Sequence, residues 1–396
     1  MQRFISIIGL LVFLGIAFLI SENRKAVNIK TVVGGLALQL LLAFLILAVP
    51  QGQTLFHSLT NFIATILEFA VDGAEFVFGE ELVVERGEFA FYVLPTIIYF
   101  SALMSLLYYI GIIQKIVKVM AVIMLKVMDI SGAESLAAAA NVFVGQTEAP
   151  LVIKKYLPKM TRSEVMALMT GGMATVAGGV FAAFVGMGID PGYLLAASIM
   201  SAPSALVMAK IMIPETEESL TAGEVRVDVE LESDTPIGAI SEGAREGLTL
   251  ALNVAAMLIA LLAIVALINY FLGFVGTSLE GILGVLFSPF AFLMGVPADE
   301  MMEVGNLLGQ KMALNEFVAY ASLTEMLGEL SHRSEVIATF ALCGFANFGS
   351  IAIQIGGIGP LDPDRRQMIA SLGVRAMIGG TLATYSTATI AGLFIA

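Results

Sequence analysis

Asn141-Val142-Phe143-Val144-Gly145-Gln146-Thr147-Glu148-Ala149-Pro150 sets an amide, a hydroxyl and a carboxylate in a row inside an otherwise oily chain. A carboxylate at membrane depth is expensive, and its presence there marks a functional site by default. Gly145 ahead of the triplet and Pro150 behind it both break regular helix. Polar groups on broken backbone, in a lipid-compatible sequence, read as a ligand site.

Composition sets the class around this stretch. Of 396 residues, 58% are hydrophobic and 13% charged, and the mean hydropathy is +0.92. A soluble domain carries roughly 25% charged residues. The apolar runs are too long, and alternate too rarely, for barrel strands of about 10 residues. The expectation is an all-α polytopic membrane protein. Residues 4–20 are followed by Ser21-Glu22-Asn23-Arg24-Lys25 rather than a small-residue cleavage site, so they read as a first span and not a signal peptide. The single cysteine, Cys343, allows no internal disulfide. About half of the net charge of −13 falls in residues 215–234, where eight acidic side chains face Arg226 alone. No basic patch points to nucleic acid.

Residues 4–20 and 31–49 each have the length of a bilayer span, about 20 residues. Arg24, Lys25 and Lys30 between them place that loop in the cytoplasm. Over residues 54–70, Leu55, Phe56, Leu59, Phe62, Ile63, Ile66, Phe69 and Ala70 recur at helical spacing opposite a polar side, which predicts an amphipathic helix at the outer interface or against a partner. A third span runs from about Glu88 to Ile113, followed on the inner side by Lys115, Lys118 and Lys126.

Residues 134–158 are too short and too polar at their centre to cross, so they predict a re-entrant hairpin. Backbone of that kind is tolerated only where protein buries it or it lines a wet cavity. The next span, 163–187, is interrupted by Thr170-Gly171-Gly172 and Ala174-Thr175-Val176-Ala177-Gly178-Gly179. Close helix packing explains such small residues equally well as unwinding around an ion. Residues 191–213 span back. Within the acidic loop, Val225, Val227, Val229 and Leu231 alternate with polar residues and predict a short strand. A span over 247–275 and a Gly- and Pro-containing apolar run over 281–296 follow.

A second polar-centred segment then appears, with Asn306, Gly309-Gln310-Lys311 and Asn315-Glu316-Phe317, and a second broken span over 333–357 with Gly344-Phe345-Ala346-Asn347-Phe348-Gly349-Ser350 at its centre. Residues 366–395 close the chain. A polar hairpin followed by a broken span therefore occurs twice, and repeats of that kind point to a transporter site at the midplane. Threading the spans puts the two hairpins on opposite sides and every Lys and Arg on the inner side or its adjoining helix ends except Arg3, Arg86, Lys311 and Arg333. The expected divisions are 1–130, 131–213 for the first repeat, 214–246 for the acidic loop, and 247–396 for a scaffold span with the second repeat.

The motifs Gly145-Gln146-Thr147-Glu148, Asn315-Glu316-Phe317 and Cys343-Gly344-Phe345-Ala346-Asn347-Phe348-Gly349-Ser350 together resemble the concentrative nucleoside transporters, in their eight-span bacterial form. The match covers essentially the whole chain. The resemblance implies about eight transmembrane helices with two re-entrant hairpins in inverted repeats, a homotrimer in the bacterial cytoplasmic membrane, and elevator-type import of nucleosides. It implies that Gln146, Thr147 and Glu148 contact the nucleobase and that Glu316, Asn347 and Ser350 contact the ribose, with Val180 and Phe345 as apolar walls. It implies a sodium site from the Asn141 and Thr175 side chains and the Val144 and Val176 carbonyls, with Thr175 standing where serine is more usual. Sodium is then the coupling ion and no other cofactor is expected; proton coupling through Glu148 or Glu316 is the alternative. A channel would need a continuous polar pore. An enzyme is not expected, since no His-Glu-x-x-His motif or Cys–His cluster occurs and the two histidines, His57 and His332, lie far apart in sequence.

Overall fold

Among the described residues of the computed structural model every regular element is helical. The structure describes residues 2–86, 88–219, 221 and 233–395. The alternating stretch from Val225 to Leu231 lies outside the described residues. In order the helices are α1 (Gln2–Leu19), α2 (Ile29–Ala43), α3 (Pro50–Phe78), α4 (Phe89–Tyr109), α5 (Ile112–Met128), α6 (Gly132–Ala140), α7 (Ala149–Val152), α8 (Arg162–Ala174) and α9 (Gly178–Gly186). They continue as α10 (Pro191–Met212), α11 (Pro236–Gly273), α12 (Leu279–Met294), α13 (Met301–Ala313), α14 (Glu316–Glu325), α15 (His332–Leu342), α16 (Phe348–Ile358) and α17 (Arg366–Phe394). Among the described residues, seven helical stretches are long and apolar enough to cross a bilayer, the α8–α9 pair counting as one. The chain is an all-α, multi-pass membrane protein.

Two helix types share the work. In α8, α10, α15 and α17 most side chains are buried all round, so these helices form the interior. In α1, α2, α3 and α11 only one narrow stripe is buried and much of the apolar remainder is exposed, as expected of lipid-facing helices, while α4 is half-buried along most of its length. α17 lies along α8, α10 and α15, with α1 on its outer side; α2 lies on α10; α4 and α11 run together and meet the interior through α9.

Small residues set the α4–α11 distance. A Cβ on Gly247 would meet Ile98 Cα at 2.7 Å, and one on Gly243 would meet Ala102 Cα at 2.8 Å. Close backbone approach of this sort replaces the hydrophobic effect, which lipid removes, with dispersion.

The helix over 54–70 is present but longer. Its Leu55, Phe62 and Phe69 are exposed, while Thr60, Leu67, Ala70 and Ala74 face the protein. α5 is an element that the lysines of its sequence disguise. Ile113, Val117, Ala121, Met124 and Met128 recur every three to four residues and are buried, while Lys115, Lys118 and Lys126 point away.

Two capping boxes start α6 and α8. Ser131 and Glu134 cap α6 reciprocally, and Thr161 and Glu164 cap α8 in the same way. A buried ion network ties them to α10: Lys210 pairs with Glu134 and donates to Glu215 at 3.2 Å and Ser163 at 2.9 Å. Thr161 and Ser219 donate to Glu215 and Glu164 respectively. The beginning of the acidic loop is thereby fastened across both helix N-termini.

Candidate functional site

Each repeat supplies a helix that stops in the interior and restarts. α8 ends at Ala174, Thr175 to Ala177 are extended, and α9 begins at Gly178. α15 ends at Leu342, Cys343 to Asn347 form the gap, and α16 begins at Phe348. The gaps cross. Gly344, at φ +137°, lies against the Ala174 peptide, where a Cβ would come within 2.8 Å of the carbonyl carbon. Such φ values favour glycine, and the space admits nothing larger.

The two hairpins bring their polar tips to this crossing. In the first, α6 leads through Asn141–Glu148 into the short α7. In the second, α13 leads through Leu314–Asn315 into α14, which folds back so that Ser322 donates to Gln310 at 2.8 Å.

Four of the residues expected to bind substrate form one chain of hydrogen bonds. Gln146 Nε2 donates to Ser350 Oγ at 3.2 Å, the Ser350 amide donates to Asn347 Oδ1 at 2.9 Å, and Asn347 Nδ2 donates to Glu316 Oε2 at 2.9 Å. All four side chains are buried. Asn347 is also the N-cap of α16 and Asn315 that of α14, so helix starts hold the middle of the chain and its Glu316 end in place. Phe345 and Val180 are buried in the second gap and the first turn of α9, as apolar residues in such positions should be.

Glu148 and Thr147 are placed differently. Thr147 Oγ1 donates to Glu148 Oε1 at 2.8 Å, and Thr147 packs on Gly357 of α16. The Glu148 carboxylate is exposed and opens on a cavity of about 1090 Å³ between the first hairpin, α4 and α11, whose wall includes Ser101, Tyr108, Lys154, Glu242 and Asn253. The two carboxylates thus differ in surroundings: Glu316 is enclosed and Glu148 reaches solvent.

Asn141 and Thr175 both lie against Gly171, just before the first gap, and Val144 and Val176 stand close to them in sequence. Asn141 is buried with neither amide atom hydrogen-bonded, an arrangement that costs stability unless a ligand completes it. Its Nδ2 lies next to Gly171, whose carbonyl accepts from Thr175 Oγ1 at 3.0 Å. Among the described residues no hydrogen bond reaches the Val144 or Val176 carbonyl. An orphaned amide oxygen, a hydroxyl and unpartnered carbonyls are, by their chemistry, the neutral oxygen donors that a hard cation such as sodium takes.

Sequence reasoning missed Gln354. It is fully buried on α16, donates to the Met169 carbonyl at 2.9 Å, and lies beside Gly172 together with Gln146. The available signal was its position four residues after Ser350, on the same helix face.

Comparison with known proteins agrees with this geometry. Models of the Na+ dependent nucleoside transporter match residues 8–81 (its N-terminus) and 193–392 (its C-terminus), and a nucleoside recognition "Gate" model matches 90–190. The chain belongs to the concentrative nucleoside transporter family. Among its relatives in that family, an uncharacterized transporter of Haemophilus influenzae is 46% identical over 98% of this chain and 97% of its own length. Nucleoside permease NupC of Helicobacter pylori is 42% identical over 98% and 97%. The solved structure of CNTnw in an inward-facing substrate-bound state superposes with a TM-score of 0.93 at 42% identity, covering 100% of this chain and 98% of that one. As a concentrative nucleoside transporter the chain is a membrane carrier and not an enzyme.

Proposed function

We propose that this chain is a secondary active importer of nucleosides, driven by an inward sodium gradient through elevator-type alternating access. The observation that carries the reading is the buried chain Gln146–Ser350–Asn347–Glu316, at the crossing of two broken helices and beside an Asn141 amide without partners. A nucleoside offers vicinal hydroxyls and ring nitrogens. Amide, hydroxyl and carboxylate groups complement both, and a site built on such bonds rejects analogues that lack them.

In this reading Glu316, Asn347 and Ser350 take the ribose, while Gln146, Thr147 and Glu148 take the base, with Val180 and Phe345 as walls. Sodium binds to Asn141, Thr175 and the Val144 and Val176 carbonyls. These ligands are neutral, so the ion brings a net positive charge close in sequence to Glu148 and to the substrate that it would bind. By linkage, whatever factor sodium adds to substrate affinity, substrate adds to sodium affinity. The hairpins α6–α7 and α13–α14 are re-entrant, giving about eight spans in inverted repeats, and α3 lies at the outer interface. The hairpins and broken helices of residues 131–213 and of the second repeat within 247–396 form the moving part. The protein works as a homotrimer, with the apolar stripe of α3 near the subunit contacts.

Purified protein in liposomes should accumulate uridine above equilibrium when sodium is high outside. Accumulation driven by a pH gradient alone would move coupling to Glu148, whose carboxylate already meets solvent. Uptake that never exceeds equilibration under either gradient would overturn the transporter reading.

A further inference from the structure

Ser350, Gln354 and Gly357 follow one another at spacings of four and three residues, so they share one side of α16. The tip of the first hairpin lies along that side. Gln146 Nε2 donates to Ser350 Oγ at 3.2 Å. Thr147 packs on Gly357, where a Cβ would meet the Thr147 methyl carbon at 2.5 Å. Gln354 stands between these two contacts and is completely buried.

Its amide also reaches a third element. Gln354 Nε2 donates to the Met169 carbonyl of α8 at 2.9 Å, which fixes the amide across the two repeats. The same bond settles which end is nitrogen, since an oxygen there would face a carbonyl. Gly172 lies one turn further along α8. A Cβ on it would stand 2.8 Å from Gln354 Nε2 and 2.8 Å from Gln146 Cβ. The Gln354 amide and the root of Gln146 therefore flank one bare spot on α8. From that spot the Gln146 side chain runs along α16 to Ser350, so Gln354 bounds its root and Ser350 holds its head.

Stability alone does not account for an amide at this place. Gln354 Oε1 is buried with no hydrogen-bond donor, as is Gln146 Oε1. A buried acceptor of that kind costs stability, and an apolar side chain of the same length would avoid the cost. Methionine would fill the same volume, but as a flexible chain with no fixed orientation. What the amide adds is direction: one end is tied to α8 and its plane is set against Gln146. Its complete burial leaves substrate no access to it, so its influence passes through Gln146.

We propose that Gln354 is a positioning residue for base selectivity: anchored to Met169 and set against Gln146 over Gly172, it fixes how the Gln146 amide is presented to the nucleobase. The inference rests on the reading of Gln146 as a base contact. It assigns Gly172 the matching role on α8, since the absence of a Cβ there lets the two glutamines approach. It also explains why an acceptor without a partner is kept in the interior, at a cost that the selectivity of the site offsets.

The test is equilibrium binding of uridine, cytidine and 2′-deoxyuridine to purified full-length protein at saturating sodium, with melting temperatures alongside. The variants are Gln354→Met, Gly172→Ala, Gln146→Ala and Gln146→Ala/Gln354→Met. Gln354→Met should melt at or above the wild-type temperature. It should shift the uridine-to-cytidine affinity ratio by about threefold or more and leave the uridine-to-deoxyuridine ratio within about twofold. Gly172→Ala should shift the base ratio in the same direction, because the added methyl displaces the Gln354 amide. In the Gln146→Ala background, Gln354→Met should change the base ratio no further. Equal weakening of all three nucleosides with a lower melting temperature would make Gln354 a brace and overturn the proposal. A base shift that persists without Gln146 would overturn it too. If Gln354→Met fails to fold, Gly172→Ala decides: a shifted base ratio supports the proposal and an unchanged one overturns it. An unchanged base ratio in Gln146→Ala would instead defeat the base assignment of Gln146 itself.

Discussion

Gly344 of one broken helix rests on the peptide of Ala174 of the other, in a left-handed conformation and with room for a hydrogen but not for a methyl group. Both gaps are thereby held at contact distance. Gly344→Ala should cost about 1–3 kcal/mol in backbone strain alone, seen as a lower melting temperature. It should also reduce uridine uptake, because the steric shift falls between the two halves of the site. Gly356→Ala, in the interior of α16 with open space around it, is the control and should be neutral or stabilising by about 0.5–1 kcal/mol. Equal melting temperatures and uptake for the two variants would contradict a tight crossing.

Glu316→Gln keeps the shape of the side chain and its hydrogen bond to Asn347 but removes charge. Charge-assisted bonds contribute roughly 1.5–3 kcal/mol, or about 10- to 150-fold in affinity. Uridine should weaken by that order, and 2′- and 3′-deoxyuridine should weaken less. The ribose assignment is wrong if the discrimination between uridine and its deoxy analogues is the same before and after the change. Glu148→Gln should instead alter the ranking of bases.

Sodium removal should act through Asn141. Replacing sodium with choline at fixed pH and ionic strength should weaken uridine binding in wild type. Asn141→Ala should already be weak and indifferent to the replacement. Isothermal titration in both salts measures this, and equal wild-type affinities would argue against sodium at this cluster.

The Lys210–Glu134 pair is a stability element rather than a site. Removing the cation leaves the buried Glu134 charge uncompensated and costs about 3–5 kcal/mol, whereas Lys210 without Glu134 keeps Glu215 and should suffer less. Lys210→Met should lower the melting temperature markedly and Glu134→Gln by less, and the double variant should be less damaged than their sum. Strict additivity would show that the pair is not coupled.

Glu22 gives a pH signature outside the spans. It lies in the α1–α2 connection, 3.0 Å from Arg162 and 2.7 Å from Arg375. The hydrogen bond from Arg162 holds its carboxyl below the ordinary range, against a smaller opposing effect of burial, with both arginine charges adding. A depressed carboxyl stabilises the fold above its unfolded value, near 4.3, and loses that contribution as pH falls through the lower folded value. Wild type should exceed Glu22→Gln in melting temperature at pH 7, and the gap should close on acidification below pH 4. A gap that persists at low pH would assign the effect to packing.

Much of the fold was legible because bilayer spans are written in local composition. The apolar runs marked the long helices, and Thr175 to Gly179 and Gly344 to Ser350 marked the breaks, because glycine and hydroxyl residues weaken helix wherever they fall. The site residues were legible in kind, since a carboxylate or amide in an oily stretch needs a reason. α5 was not, because its three lysines masked a buried stripe at helical spacing. Gln354 was not, because its only signal, a place four residues after Ser350 on one helix face, counts once Ser350 is known to face inward.

The sequence by itself determined that this chain crosses a membrane with two polar, broken repeats, because desolvation of each residue type depends on its own chemistry. Tertiary structure decided the partners. That Gln146 meets Ser350 across 204 positions, that Glu316 meets Asn347, and that Glu148 faces a cavity while Glu316 is enclosed follow from how α8–α9 and α15–α16 cross. Local periodicity fixes which face of a helix is buried, but not the face it is buried against. That choice is made by close-packed contacts between segments far apart in the chain.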